Sequence, residues 1–466
     1  MSDSWANSGV DLLLDLAGSH RRTAVEDALR AAIGSGRLTE GTRLPSSRSL
    51  GAELGLARNT VAEAYAQLIA EGWLVARQGS GTRVAARAAL PAARAPARRK
   101  VPDAARRQFD LTPGKPDLGG FPRAAWLKAG RRALTSASND LLGYPDPRGL
   151  LGLREALAGY LARVRGVRTT PDRIVVCSGF VQALNLLSVT LARNGATAMA
   201  VESHGLAHHR ELVRAGGLRT RSIAVDGSGA RTDQLTDVQA VLLTPAHQFP
   251  IGVPLSPRRR SIGLEWAART GGLVIEDDYD GEFRYDRRPI GALQGLAPDR
   301  VAYVGTASKS LVPALGLAWL VLPPALVDDV VETKFQSDGF TGIFEQLSLE
   351  EFIRSGQYDR HVRRSRLRYR ARRDRLVGAL TGLDRPVRIT GIAAGLHAVV
   401  ELPDREPADE PAIRTRAARA GLTVQGLGVY RHEPDPAARA ALVIGYASPP
   451  EHAYAGALEV LRNVLA

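Results

Sequence analysis

The sequence predicts an α/β protein of two unequal parts: a small helical unit ending in a hairpin, and a larger unit built on a mostly parallel sheet. Three observations predict it. Residues 19–85 carry three segments of helical spacing followed by a strand–turn–strand pattern. From Phe109 onward, short apolar runs alternate with helical segments, the rhythm of a parallel sheet wrapped by helices. Between the two, residues 86–107 (ARAALPAARAPARRKVPDAARR) have the Ala/Pro/Arg-rich composition of a partly extended tether. Residues 1–18 form an N-terminal arm. The larger unit runs over 108–466, with a shorter α/β segment closing the chain after about residue 375.

Composition excludes several classes. The 466 residues are 44% hydrophobic and 24% charged, which is globular rather than disordered or fibrous. No apolar run reaches the ~18 residues of a membrane span. Residues 1–5 show no basic stretch ahead of an apolar core, so no signal peptide is expected and the expected location is cytoplasmic. The single cysteine, Cys177, excludes an internal disulfide and any multi-Cys metal site. The net charge of +14 points to an anionic partner, nucleic acid first. Arginine is used almost everywhere in place of lysine, so the five lysines (Lys100, Lys115, Lys128, Lys309 and Lys334) stand out.

In the small unit, Val25, Leu29 and Ile33 fall on one helical face, and Gly34 and Gly36 stop that helix. A second helix spans about 47–54, with Gly55 as its stop. A third starts near Arg58 and carries Val61, Tyr65, Leu68 and Ile69 on one face. Residues 73–77 and 82–84 read as strands joined by Gln78-Gly79-Ser80-Gly81. A helix, a tight turn and a second helix form a helix–turn–helix. The exposed start of the third helix, Arg58, Asn59 and Thr60, is placed to enter a major groove, with Arg48 reaching phosphate or base. Gly79, Ser80, Gly81 and Arg83 form a wing that approaches the adjacent minor groove or phosphates.

In the large unit, the apolar runs are 174–177, 199–201, 241–244, 273–276, 301–304 and 317–322. Three segments carry chemistry. After the run 301–304 comes Gly305-Thr306-Ala307-Ser308-Lys309-Ser310. A lysine there can form a Schiff base with an aldehyde cofactor, and Thr306 can hydrogen-bond a phosphate. A surface lysine on a strand-end loop is the plain alternative. The segment Leu273-Val274-Ile275-Glu276-Asp277-Asp278-Tyr279-Asp280-Gly281-Glu282-Phe283 ends a strand in carboxylates. One of these can hold a pyridine nitrogen protonated, and the Tyr279 hydroxyl can meet the phenolic oxygen of the same ring. An acidic loop on a sheet edge is the alternative. Cys177-Ser178-Gly179-Phe180 ends a strand and opens a helix whose free amides suit a phosphate.

The string LPSSRSLGAELGLARNTVAEAYAQLIAEGWLVARQGSGTRVA, residues 44–85, resembles the winged helix of the GntR family. The three chemical segments, in this order, resemble fold-type I pyridoxal 5'-phosphate (PLP) enzymes of the aminotransferase kind over 108–466. Together they resemble the MocR subfamily of GntR regulators, as do the strings Thr244-Pro245-Ala246-His247-Gln248-Phe249-Pro250-Ile251-Gly252 and Gly356-Gln357-Tyr358-Asp359-Arg360-His361-Val362-Arg363-Arg364-Ser365-Arg366. The resemblance implies a winged helix–turn–helix joined to an aminotransferase-like domain with a large parallel-sheet part and a smaller C-terminal α/β part. It implies Lys309 as the aldimine lysine, Asp277 as partner of the pyridine nitrogen and Tyr279 as partner of the ring hydroxyl. Ser178, Gly179, Phe180 and Thr306 would surround the phosphate, and Tyr144 would reach the phosphate of a neighbouring subunit. A head-to-tail homodimer, a double-stranded DNA operator, and PLP with an amine effector are the implied partners, with control of vitamin B6 or amino-compound metabolism as the implied role.

Departures from the pattern temper the enzymatic expectation. Ala57 stands where the family usually has Ser, which removes a helix cap worth roughly 1 kcal/mol. Leu206 replaces the aromatic that stacks on the ring. Gly316 and Val443 replace arginines, Val443 that of the substrate carboxylate, and Val cannot imitate the planar two-bond fork of Arg. Arg431 is a nearby substitute. His204, His208 and His209 lack the Cys or carboxylate pair of a metal site, so no metal is expected, although one of them can stack over the ring. Cys177 is expected to pack at its strand end. The ten arginines of residues 354–375 are read as belonging to a helix joining the two parts of the large unit, with an auxiliary DNA surface as the alternative. The expectation is a regulator that retains the cofactor; a working aminotransferase with an appended DNA-binding unit is the alternative.

Overall fold

The computed structural model describes residues 21–77, 81–86, 108–285, 290–433, 435 and 438–466, and the chain divides into two compact units, 1–102 and 103–466. The arm 1–18, Gly79 and Ser80 of the wing, and nearly all of the tether lie outside the described residues.

The N-terminal unit has helices Arg21–Gly34, Ser47–Glu53 and Arg58–Ala70 and an antiparallel hairpin of Leu74–Arg77 with Gly81–Val84. Its apolar stripes meet in one core of Val25, Leu29, Ile33, Leu38, Leu50, Val61, Tyr65 and Leu68, closed by Leu74 and Val84 from the hairpin. Each such side chain contributes about 1.5–3 kcal/mol on burial. The Tyr65 hydroxyl donates to the Pro45 carbonyl at 3.0 Å, so the third helix is pinned to the chain entering the second. Ser46 caps the second helix by accepting from the Ser49 amide at 3.1 Å. Ala57 supplies no such cap to the third helix.

The large unit is organised by a seven-stranded sheet in the spatial order Ile174–Cys177, Ala318–Val321, Val301–Thr306, Leu273–Asp277, Ala240–Leu243, Ala198–Glu202, Arg219–Ile223. Only Ala318–Val321 runs antiparallel to its neighbours. All but the edge strand Arg219–Ile223 are near-continuous apolar runs, as strands covered on both faces require. Because six strands point the same way, their C-terminal ends line one edge. That edge collects Ser178, Glu202, Thr244, Asp277 and Thr306, and such an edge is where ligands bind in open α/β sheets. Cys177 is fully buried at its strand end, where loss of hydration pushes its thiol up to about 12.

The smaller part is a four-stranded antiparallel sheet of Arg388–Thr390, His397–Leu402, Ala440–Gly445 and Gln425–Gly426, covered by helices Glu410–Arg419 and Glu451–Leu465. The helix Gln357–Leu380 packs its Tyr358 and Val362 in the core of the large sheet and its Tyr369, Leu376 and Leu380 in that of the small one. It therefore joins the two parts, and its arginines are in part structural. Buried Arg372, for example, bonds the Ala447 and Pro449 carbonyls and Glu451. One pairing was not legible in the sequence: Phe109–Asp110 lies parallel to Leu422–Thr423, which ties the start of this unit to its last third.

Candidate functional site

Strand alternation decides which carboxylates of the acidic run face the cavity. Glu276 turns to one side, where it accepts from the Leu293 and Gln294 amides at 2.8 and 2.9 Å. Asp278 turns to the same side and takes Arg165 at 2.6 and 3.0 Å and the Tyr303 hydroxyl at 2.7 Å. Asp277 turns the other way, into a cavity of about 280 Å³ that also holds Tyr279, Thr306, Ser308, Lys309, Phe180, Glu202, Thr244, Leu206, His209 and Tyr430.

Asp277 is buried, and its Oδ1 has no hydrogen-bond partner. Loss of hydration holds its carboxyl well above the ordinary range, with Lys309 pulling the other way. Lys309 follows the strand Val301–Thr306 on the short helix Ala307–Ser310 and donates to the Gly114 carbonyl at 2.6 Å. Loss of hydration lowers its pKa, opposed by Asp277 and Asp280, so the neutral amine, the nucleophilic form, is more accessible. The Tyr279 hydroxyl donates to the His247 carbonyl at 3.0 Å. At the other end of the cavity, Thr306 Oγ1 accepts from the Ser308 amide at 3.1 Å. Phe180 opens a helix that no side chain caps, behind Gly179 at φ 152°, so first-turn amides remain for an anion. A buried carboxylate lacking a donor, a lysine with a depressed pKa and an uncapped helix start fit PLP: Asp277 would hold its ring nitrogen, Lys309 its aldehyde, and Thr306 and Ser308 its phosphate.

The structure thus brings Lys309, Asp277, Tyr279, Thr306 and Phe180 together around one cavity. Ser178 and Gly179 are not in its lining. Ser178 is exposed, and its amide and hydroxyl are taken by Gln182 Oε1 at 2.8 and 3.2 Å, so Gln182 must let go before Ser178 reaches a phosphate. Tyr144 is 95% exposed, with its ring edge-on to Phe340 at 6.0 Å. An added Cβ at Gly316 would lie 3.3 Å from the Ser178 carbonyl, so Gly316 stands beside the turn that opens the Phe180 helix. Val443 is fully buried in an apolar cluster with Val399, Leu427 and Tyr430, against which Phe249 and Ile251 pack. Arg431 does not line the cavity. Its backbone bridges His204, and its Nε is buried without a partner. His204 and His209 line the cavity and are pushed down to about 4, chiefly by loss of hydration, so both are neutral at pH 7. His209 packs against Phe180 with ring centroids 4.7 Å apart.

Sequence reasoning missed Ser308 and Glu202. Ser308 sits one residue before Lys309 and was available from spacing. Glu202 ends a strand read as apolar; its carboxylate accepts from Thr244 Oγ1 at 2.6 Å and Gln248 Nε2 at 3.1 Å, and burial pushes it up to about 7.

In the N-terminal unit, Arg48, Arg58 and Asn59 are exposed and Thr60 half-buried. Arg83 donates to the Gly41 carbonyl at 2.8 Å, which anchors the base of the wing. Gly81 takes φ 85°, and a Cβ there would lie 3.2 Å from Arg43 Nε, so the hairpin places Arg43 beside the wing as well.

Fold and site together define a DNA-binding regulatory unit fused to an aminotransferase-like domain. Residues 21–84 match bacterial regulatory proteins of the gntR family, and residues 106–420 match aminotransferase class I and II. The chain is 34% identical over 401 residues to the HTH-type transcriptional regulator YhdI of Bacillus subtilis, covering 84% of this chain and 85% of that one. It is 33% identical over 413 residues to the HTH-type pyridoxine biosynthesis transcriptional regulator PdxR of Corynebacterium glutamicum, covering 88% of each. It is 32% identical over 369 residues to the probable rhizopine catabolism regulatory protein MocR of Rhizobium meliloti, covering 74% of each. In fold it is similar to a kynurenine aminotransferase of Pyrococcus horikoshii, with a TM-score of 0.68 at 24% identity over 77% of this chain and 90% of that one. The chain belongs to the GntR family of transcriptional regulators, in the MocR subfamily whose second domain is of the aminotransferase class I and II type. No helix among the described residues is long and apolar enough to cross a membrane.

Proposed function

We propose that this regulator binds PLP in the cavity around Lys309 and changes its operator binding in response to PLP or to an amine that meets PLP there. One observation carries the reading: Asp277 Oδ1 is buried in the cavity with no donor, while Lys309 and Tyr279 line the same space. An orphaned carboxylate oxygen costs about 1–3 kcal/mol or more, and a pyridinium N–H removes that penalty. When bound, PLP supplies an aldehyde that links reversibly to amines. Lys309 provides the amine and holds the cofactor in place. Asp277 keeps the pyridine protonated, Tyr279 donates toward the ring oxygen, and Thr306, Ser308 and the Phe180 helix start bind the phosphate.

The name of the Corynebacterium relative makes pyridoxine biosynthesis a natural target of control. A head-to-tail homodimer is part of the proposal: Leu127, Leu142, Tyr144, Phe340 and Phe344 are exposed apolar side chains that a second copy would cover. So is a cytoplasmic location, where the operator lies. Winged-helix residues Arg48, Arg58, Asn59 and Thr60, with Gly79, Ser80, Gly81 and Arg83 of the wing, contact the operator. The alternative, an active aminotransferase, uses the same lysine. It also needs a carboxylate clamp; the apolar cluster around Val443 offers none, and Arg210 in the cavity lining donates to the Gly205 and Arg431 carbonyls. The test is a titration of operator DNA with and without PLP, for the parent chain and Lys309→Ala. A ligand moves this equilibrium only by binding two conformations unequally, so identical curves with and without PLP would refute PLP sensing.

A further inference from the structure

Behind Tyr279 lies a buried pair that the reading above leaves unused. His247 Nδ1 and Asp280 Oδ2 are 2.8 Å apart, and the two side chains are 3% and 2% exposed. The Tyr279 hydroxyl lies 3.1 Å from the same Nδ1 and 3.0 Å from the His247 carbonyl. The smaller part of the domain presses on the pair from the other side. The His397 ring sits 5.2 Å from that of His247, and its Nε2 donates to the Pro250 carbonyl at 3.0 Å. Gly395 takes φ 73°, and an added Cβ there would lie 2.4 Å from both Asp280 Oδ2 and His247 Cε1. Nothing larger than glycine fits without displacing the pair.

Proton accounting gives the arrangement a direction. A carboxylate only accepts, so the His247–Asp280 bond requires the proton on Nδ1. A protonated Nδ1 has no lone pair for the Tyr279 hydrogen. That hydrogen has the His247 carbonyl, the Asp280 carboxylate or an acceptor inside the cavity as its remaining destinations. We propose that His247 and Asp280 are positioning residues: Asp280 fixes the His247 tautomer, His247 denies the tyrosyl hydrogen a place on its ring, and Tyr279 presents that hydrogen to the phenolic oxygen of bound PLP. This rests on the cavity being a PLP site. The pair reaches the cofactor through Tyr279, and through Gly395 and His397 it couples the cofactor to the smaller part of the domain.

The charged and titratable groups facing Tyr279 and Lys309 are Asp277 and Asp280 from the same segment, Glu202 from its strand end, His247, His209 and His397, with His204, Arg210 and Tyr430 in the same cavity lining. Burial pushes His397 down to about 3, so it stays neutral and adds no positive charge beside the pair at working pH.

The experiment compares the parent full-length chain with His247→Leu, His247→Asn and Asp280→Asn. His247→Asn keeps an N–H donor close to the Nδ1 position. Two quantities are read: the PLP dissociation constant from quenching of intrinsic fluorescence, and the pH midpoint of the visible band of lysine-bound cofactor. The expected result is about tenfold weaker PLP binding in His247→Leu and Asp280→Asn, the size of one hydrogen bond to a charged oxygen. The midpoint should rise by about one unit, because the unprotonated form loses the donor that stabilises its ring oxygen. His247→Asn should stay within about threefold of the parent. Parental values in both His247→Leu and Asp280→Asn would overturn the relay, as would equal losses in His247→Asn and His247→Leu, which would assign His247 to packing alone. A parent chain with no visible band overturns the cofactor reading itself, and the relay with it.

Discussion

Replacing Asp277 by Asn separates what this residue does for the cofactor from what it costs the empty domain. The carboxylate is buried and its Oδ1 unpaired. An unsatisfied buried polar group costs about 1–3 kcal/mol, and more when charged. Asn leaves its amide oxygen equally unpaired but removes the charge, so the PLP-free chain should gain about 1 kcal/mol, a rise of about 2 °C in the unfolding midpoint of the large unit. The sign with pH follows from linkage. The folded carboxyl keeps its proton to higher pH than the unfolded one. Above the ordinary carboxylate pKa of about 4, the folded state therefore binds more protons, and its stability falls as pH rises through the window up to the folded pKa. Glu202, raised to about 7, pushes the same way. The quantity to measure is therefore the difference between parent and variant across pH 4–8. That difference should be small at pH 4 and grow upward. With PLP the order reverses: loss of a charge-assisted bond worth about 1.5–3 kcal/mol weakens binding by roughly 10- to 150-fold. Thermal melts with and without PLP, and a PLP titration by absorbance, check both halves. An Asn variant that binds PLP as tightly as the parent, or whose empty form is less stable at pH 8, would refute the assignment of Asp277.

Other outcomes follow from the same geometry. Lys309→Ala should abolish the borohydride-reducible PLP adduct, and peptide mapping of the parent should find that adduct on Lys309 and not on Lys334, which is buried on Asp338 at 2.9 and 3.0 Å. Arg58→Ala should lose ~1–3 kcal/mol of preference for the operator over scrambled DNA without changing thermal stability, because Arg58 is exposed and carries no packing. Ala57→Ser should restore the missing cap and stabilise the third helix by about 1 kcal/mol, read as slower hydrogen exchange of its first-turn amides. Amino-group transfer across a panel of amino acids and 2-oxo acids should show negligible multiple turnover, since Val443 and Leu206 offer no clamp or stacking aromatic; robust turnover with PLP-independent operator binding would make catalysis the primary role.

Local pattern and chemistry specified much of this protein. Gly and Ser punctuation with helical spacing located the three helices of the N-terminal unit, because an amphipathic stripe must be buried against something nearby. Continuous apolar runs located six of the seven strands of the large sheet, missing the polar edge strand Arg219–Ile223, and the abrupt change from Val301–Val304 to Gly305-Thr306 marked Lys309 as a strand-end residue. A resemblance that rests on local strings also singled out Lys309, Asp277, Tyr279 and Thr306, which line one cavity. What it could not supply depends on chain segments far apart meeting in space. Phe109 pairs with Leu422, more than 300 residues away; Gly316 stands by Ser178; Gln182 occupies Ser178. Gly395 and His397 from one sheet close on His247 and Asp280 of another. Only tertiary packing sets these distances, because the orientation of a side chain past its own strand or helix is decided by which neighbours exclude water from it.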